Sequence, residues 1–157
     1  MRDGMEEKRR IEESKVESLH LVRMTHLNGA GRLFGGMLMQ WIDEVAALAA
    51  KKHARMNITT VSIDHLQFLR GAFLDDIIVL QGKVTYVGRT SMDVKVETYV
   101  EDREGSRTLI NCAYITEVAL GKDGKPAQVP GLILETEEER REWAKGERRR
   151  ELRAFHG

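Results

Sequence analysis

Asn28, Gly35, Gly36 and Asp43 lie together in NGAGRLFGGMLMQWIDEV, residues 28 to 45. Their types suit attack on a carbonyl group. A helix opening at Gly35 and Gly36 offers unpaired backbone N–H groups and the positive end of its dipole to a developing oxyanion. Glycine lets a ligand approach that backbone closely. The Asn28 amide adds a donor from the preceding loop, which completes the composition of an oxyanion hole. Asp43 is a carboxylate among Trp41, Ile42, Val45 and Ala46, a setting that is costly for an unpaired charge. One alternative is that Asp43 and Glu44 form the solvent stripe of the helix. The other is that Asp43 serves the same carbonyl as Gly36, with Gln40 between them on nearly the same helical face. Seven residues at 1.5 Å each span roughly 10 Å, too far for both to act on one group within one chain. Asp43 would then come from a partner subunit, and catalysis would need a dimer.

Other chemistries find less support. No G-x-S-x-G elbow occurs. The five histidines show no ligand spacing, so they read as surface or strand residues and no metal site is expected. Gly29, Gly31 and Gly35 partly mimic a dinucleotide fingerprint, but that fold needs continued strand and helix alternation. From residue 58 to 120 only strand patterns follow.

The elements that must position these residues are legible from periodicity. Residues 16 to 24 read as a strand, 33 to 54 as a long helix apolar nearly all round. Residues 58 to 69 and 76 to 87 are strands, and Gly88-Arg89-Thr90-Ser91 is a turn. Met92, Val94, Val96 and Val100 alternate with Asp93, Lys95, Glu97 and Glu101, giving one dry and one wet face. In the strand 108 to 120, the same reasoning places Ile110, Cys112, Tyr114, Val118 and Leu120 on the apolar face. Short turns imply an antiparallel sheet covered by one helix, an α+β fold. Thr136 and Glu139 form a capping box for a charged C-terminal helix, read as solvated. An alternative is that its arginines reach an anionic ligand or a neighbouring subunit.

The division expected is a polar, mobile or partly ordered N-terminal segment (1–15), one domain (16–131) and a charged helical tail (132–157). At 157 residues one domain is the economical reading. The 25 basic residues match 25 acidic ones, so no bulk field favours nucleic acid or an anionic membrane. The single cysteine allows no intrachain disulfide, which favours a reducing compartment. The start, MRDGMEEKRRIEESK, has no apolar signal core. The longest uncharged apolar-rich stretch, 33 to 42, is far short of the roughly 20 residues of a membrane span. A cytoplasmic location follows as the expectation.

Asn28, Gly31, Leu33, Phe34, Gly35 and Gly36 with Asp43 further on resemble the acyl-CoA thioesterases of the hotdog fold. The resemblance continues through Ile58-Thr59-Thr60-Val61, Asp64 to Phe68, Gly88 to Met92 and Val129-Pro130, about residues 14 to 131. It implies a curved antiparallel sheet wrapped around one long helix, with a homodimer as the minimum active unit and tetramers or hexamers built from it. It also implies hydrolysis of an acyl-CoA to a free acid and CoA without metal or redox cofactor. Asp43 would be the base or the nucleophile, Asn28 would position water or carbonyl, and the Gly36 N–H would polarise the carbonyl oxygen. Asn28 and Asp43 of one site would come from different chains. Gly35 would contact the bound substrate, and Thr90 and Ser91 would lie near the thioester and the pantetheine arm. Arg89 is a candidate for CoA phosphate. The chain departs from the family at Gly71 and Asp75, where Pro and Gly are common. A non-catalytic acyl-CoA-binding or regulatory module on the same scaffold is the alternative function. A hotdog hydratase is a further one, but it would need a positioned histidine.

Overall fold

The computed structural model describes residues 7–156, without the side chains of residues 155 and 156. Five strands form one antiparallel sheet in the order β2-β4-β5-β6-β3. They are β2 (Val16–Leu21), β3 (Asn57–Phe68), β4 (Ile77–Val87), β5 (Ser91–Glu101) and β6 (Arg107–Leu120). Helix α1 (Gly35–Ala54) crosses the inner face.

The burial pattern of α1 explains its position. Leu38, Trp41, Ile42, Val45, Ala46 and Ala49 repeat at helical spacing and are all buried, one stripe that the sheet covers. The rest of the helix is less apolar than expected: Gln40, Glu44, Lys51 and Lys52 are exposed. Gly82 on β4 lets the two layers meet, because a Cβ there would stand 2.6 Å from Val45 Cγ1.

Strand bounds agree with periodicity to within a few residues, but the wiring differs. β3 does not pair with β4, its successor. It pairs with β6 at the far edge, while β4 lies between β2 and β5. The connection after Phe68 therefore crosses the molecule. It is anchored on the loop before α1, where Leu33 N donates to Ala72 O at 2.8 Å and Val22 N donates to Asp76 O at 2.9 Å. Asp75, where the family favours glycine, takes φ 69°, a left-handed conformation that aspartate tolerates better than most residues.

Three further expectations need correction. Residues 7–15, read as mobile, are ordered: β1 (Lys8–Arg10) pairs in parallel with β7 (Gly131–Ile133), and Ile11 and Ser14 are buried. That expectation for residues 1–6 lies outside the described residues. On β6 Ile110 is buried in the core as expected, but from Cys112 onward the inward residues are Ala113, Ile115, Glu117 and Ala119, the opposite parity to the one expected. Cys112 and Tyr114 are half-buried on the outer face.

The reason is the third correction. The C-terminal helix, α2 (Glu137–His156), is not solvated but packs on the outer face. Its capping box forms as expected, with Glu139 N donating to Thr136 Oγ1 at 3.1 Å. Arg149 then pairs with Asp93 at 2.9 Å, and Glu142 accepts from Lys95 Nζ at 2.6 Å and from Tyr114 OH at 2.9 Å. Both faces of the sheet are thus covered, and apolar residues occur at both parities of β6.

Candidate active site

The loop ahead of α1 is built around Asn28. Its side-chain oxygen accepts the N–H of Ala30 at 2.9 Å and of Arg32 at 3.1 Å, and Gly31 turns the chain at φ 77°. With Oδ1 committed to the loop, the Asn28 Nδ2 amide is the group that can donate outward. No side chain caps α1, whose N-cap is Phe34, so its first N–H groups have no side-chain acceptor, and a surface cavity lies beside this helix start. Asn28 and Gly35 line this cavity, with Phe68 and Leu69 of the β3 end as its apolar wall. A Cβ at Gly36 would meet the exposed Phe34 ring, with Cε1 at 2.5 Å, so a side chain there would displace that ring.

Asp43 lies elsewhere, at the flank of α1 beside β3. It is half-buried while Glu44 is exposed, so the two carboxylates do not form one solvent stripe. Thr60 Oγ1 of β3 donates to Asp43 Oδ1 at 2.7 Å. The same hydroxyl stands 2.9 and 3.0 Å from the two carboxyl oxygens of Glu117, which is fully buried. Burial pushes the Glu117 carboxyl up to about 7; Thr60 opposes this and the negative charge of Asp43 adds to it.

Arg89, Thr90 and Ser91 form a third location, the β4–β5 turn closed by Gly88 N donating to Ser91 O at 2.9 Å. They line a shallow cleft together with Thr116 and with Arg150 and Arg153 of α2. Within one chain, therefore, Asn28, Gly35 and Gly36 are brought together, Asp43 is separate, and Arg89, Thr90 and Ser91 are separate again.

Sequence reasoning missed Thr60 and Glu117 as partners of Asp43. The assigned parity of β6 turned Glu117 toward solvent. The one signal was an acid flanked by Thr116 and Val118 in a strand otherwise rich in apolar residues. Among the histidines, His53 is neither on the surface nor on a strand: it is buried on α1, its Nε2 2.8 Å from the Pro130 carbonyl.

A five-stranded antiparallel sheet with one long helix packed on its inner face is the architecture expected of the hotdog fold. Residues 30–106 match the family model of the thioesterase superfamily. YkhA of Bacillus subtilis, named as an uncharacterized acyl-CoA thioester hydrolase, is 40% identical over 134 residues, covering 85% of this chain and 78% of that protein. A solved apo-hexameric acyl-CoA thioesterase superposes with a TM-score of 0.91 at 38% identity, covering 96% of this chain and 97% of its own. An acyl-CoA hydrolase from Staphylococcus aureus, solved with butyryl coenzyme A and coenzyme A, superposes at 0.89 with 34% identity, covering 95% and 92%. That enzyme has also been solved as its Asn28→Ala, Asp43→Ala and Thr60→Ala variants, residue types and numbers that this chain also carries. The chain spans 36% of the length of the rat cytosolic acyl coenzyme A thioester hydrolase that it matches. It belongs to the acyl-CoA hydrolase family of hotdog thioesterases and is an enzyme of that class.

Proposed function

We propose that this enzyme hydrolyses acyl-CoA thioesters at sites shared between two copies of the chain. The observation that carries the reading is the separation of two half-sites. One is the uncapped α1 start with Asn28, and the other is Asp43 held by Thr60. Roughly 10 Å of helix lies between Gly36 and Asp43, so each half-site needs its complement from elsewhere. A second copy supplies both at once, because a two-fold interface places each half-site against the other. The hexameric relative supports a homo-oligomer, with the dimer as its working unit.

At such a site the thioester oxygen accepts from the Gly36 N–H, beside Gly35, while the Asn28 Nδ2 amide orients the water or the carbonyl. Charge develops on that oxygen as the tetrahedral intermediate forms, where fixed donors stabilise it most. Asp43 takes the proton of the attacking water, the new C–O bond forms, the C–S bond breaks, and the CoA thiolate leaves to be protonated. Direct attack by Asp43 shares this geometry; incorporation of labelled oxygen from water into Asp43 in a single turnover would identify it. Thr90 and Ser91 lie along the pantetheine arm, and Arg89 meets a CoA phosphate. The single Cys112, whose thiol burial pushes up, suits a reducing cytoplasm.

The test is thiol release from acyl-CoAs of increasing chain length, with wild type and Asp43→Ala side by side. Wild type should turn over at least one ester. Asp43→Ala should fold and assemble normally yet lose nearly all turnover. Near-wild-type activity in the variant would remove Asp43 from the mechanism, and CoA-ester binding without turnover in the wild type would favour a binding module.

A further inference from the structure

One hydroxyl, Thr60 Oγ1, stands within hydrogen-bonding distance of three carboxyl oxygens: 2.7 Å from Asp43 Oδ1, 2.9 Å from Glu117 Oε1 and 3.0 Å from Glu117 Oε2. A hydroxyl carries one proton and two acceptor lone pairs. If both acids were ionised, the proton could satisfy only one, and the lone pairs of Thr60 would face the other. That leaves a buried carboxylate without a donor, an expensive arrangement. If Glu117 is the neutral acid, each acid has one proper bond to the hydroxyl: Glu117 O–H donates to Thr60 Oγ1 through one of its two oxygens, and Thr60 O–H donates to Asp43.

The surroundings decide which acid holds the proton. Glu117 is fully buried, whereas Asp43 is half-buried and near the surface, so the charge belongs on Asp43. The groups facing Glu117 are Asp43 from α1, Thr60 from β3, and Met92, its register partner on β5. None of the ion pairs formed among the described residues includes either acid. No cation is therefore at hand to hold Glu117 ionised, and burial and the Asp43 charge both favour its neutral form.

We propose that Glu117 is a positioning residue of this enzyme, a neutral acid whose proton sets the direction of a Glu117–Thr60–Asp43 chain. The chain fixes Asp43 Oδ1 and leaves the second oxygen of that carboxylate to the substrate. Loss of the Glu117 proton reverses the chain. Thr60 then has two anionic acceptors for one proton, and that proton no longer fixes Asp43 Oδ1. The inference rests on Asp43 being the group that acts on the thioester.

The test is a pH profile of kcat and KM from pH 5.5 to 9, on the acyl-CoA that the wild type turns over best. Wild type should lose kcat as the pH rises through neutrality. Glu117→Leu, of similar size but without a donor, should lose kcat at least tenfold throughout with KM little changed. Glu117→Gln should recover most of that loss, because its amide donates to Thr60 at every pH, and its profile should lack the alkaline limb. Thr60→Val cuts the chain without touching Glu117, and its residual activity should lack the limb as well. A limb that persists in Glu117→Gln, or in Thr60→Val should the first variant not fold, overturns the proposal. So does a Glu117→Gln enzyme no better than Glu117→Leu. Asp43→Ala in the same series separates the two readings: if it stays active, the assignment of Asp43 fails, whatever Glu117 does.

Discussion

Asn28 does two jobs with one side chain. Its oxygen closes the loop that presents α1, and in the proposed mechanism its amide serves the substrate in the cavity that the residue lines. Asn28→Ala should lower kcat by about 10²–10³, the usual cost of one oxyanion donor, in a thiol-release assay; a change under about threefold would count against the role. Glu117 makes a prediction independent of activity. Its carboxyl titrates near 4.5 when unfolded and at about 7 when folded, so between those values the folded state binds the proton that the unfolded chain has lost. Stability contributed by this group should therefore fall as pH rises from about 4.5 to about 7 and stay level above, by about 3 kcal/mol at the usual value per unit. Urea unfolding of Glu117→Gln should show this slope removed, with the variant gaining on wild type above neutrality; parallel curves would contradict it. At this scale Asp43 was legible because a carboxylate in an apolar helix demands a reason. Thr60 and Glu117 were not, because their partnership is made across strands by a register that periodicity does not reveal.

Among the elements, α2 decides what the outer face of the sheet looks like. It lies so close that a Cβ on Gly146 would stand 2.3 Å from Tyr86 Cβ, and Trp143 tilts against the same ring at 4.6 Å between centroids. Gly146→Ala would gain roughly 1 kcal/mol of helix propensity but must lift the helix from the sheet. The net effect should be a loss of stability of about 1–3 kcal/mol, the usual range for overpacking, read as a lower thermal midpoint. An unchanged or higher midpoint would show that α2 moves freely on the sheet. Most strands and α1 could be read from periodicity because their inner faces are largely apolar, as Met92, Val94 and Val96 show. Where α2 covers the outer face, alternation stops discriminating: Asp93 is buried beside Arg149, and the parity of β6 reads backwards. The edge position of β3 was equally hidden, since short connections suggest neighbours and the segment after Phe68 instead crosses the fold.

For the whole molecule, the two half-sites lie apart within one chain, and the edge strand β3 that carries Thr60 is also exposed at Val61 and Phe68. A composite site at a two-fold interface makes a prediction that no single-chain site can match. Asp43→Ala and Asn28→Ala should each be nearly inactive alone. When both are co-expressed and purified as mixed assemblies, a heterodimer contains one site with both residues intact and one with neither. Random pairing should then restore about a quarter of wild-type activity, since half the dimers are mixed and half their sites are whole in an isologous pair. Thiol release from that mixed preparation is the most direct measurement of the shared site. Recovery toward a quarter is the predicted result; activity no greater than that of the two variants assayed separately would place Asn28 and Asp43 in the same site of one chain and contradict the composite mechanism.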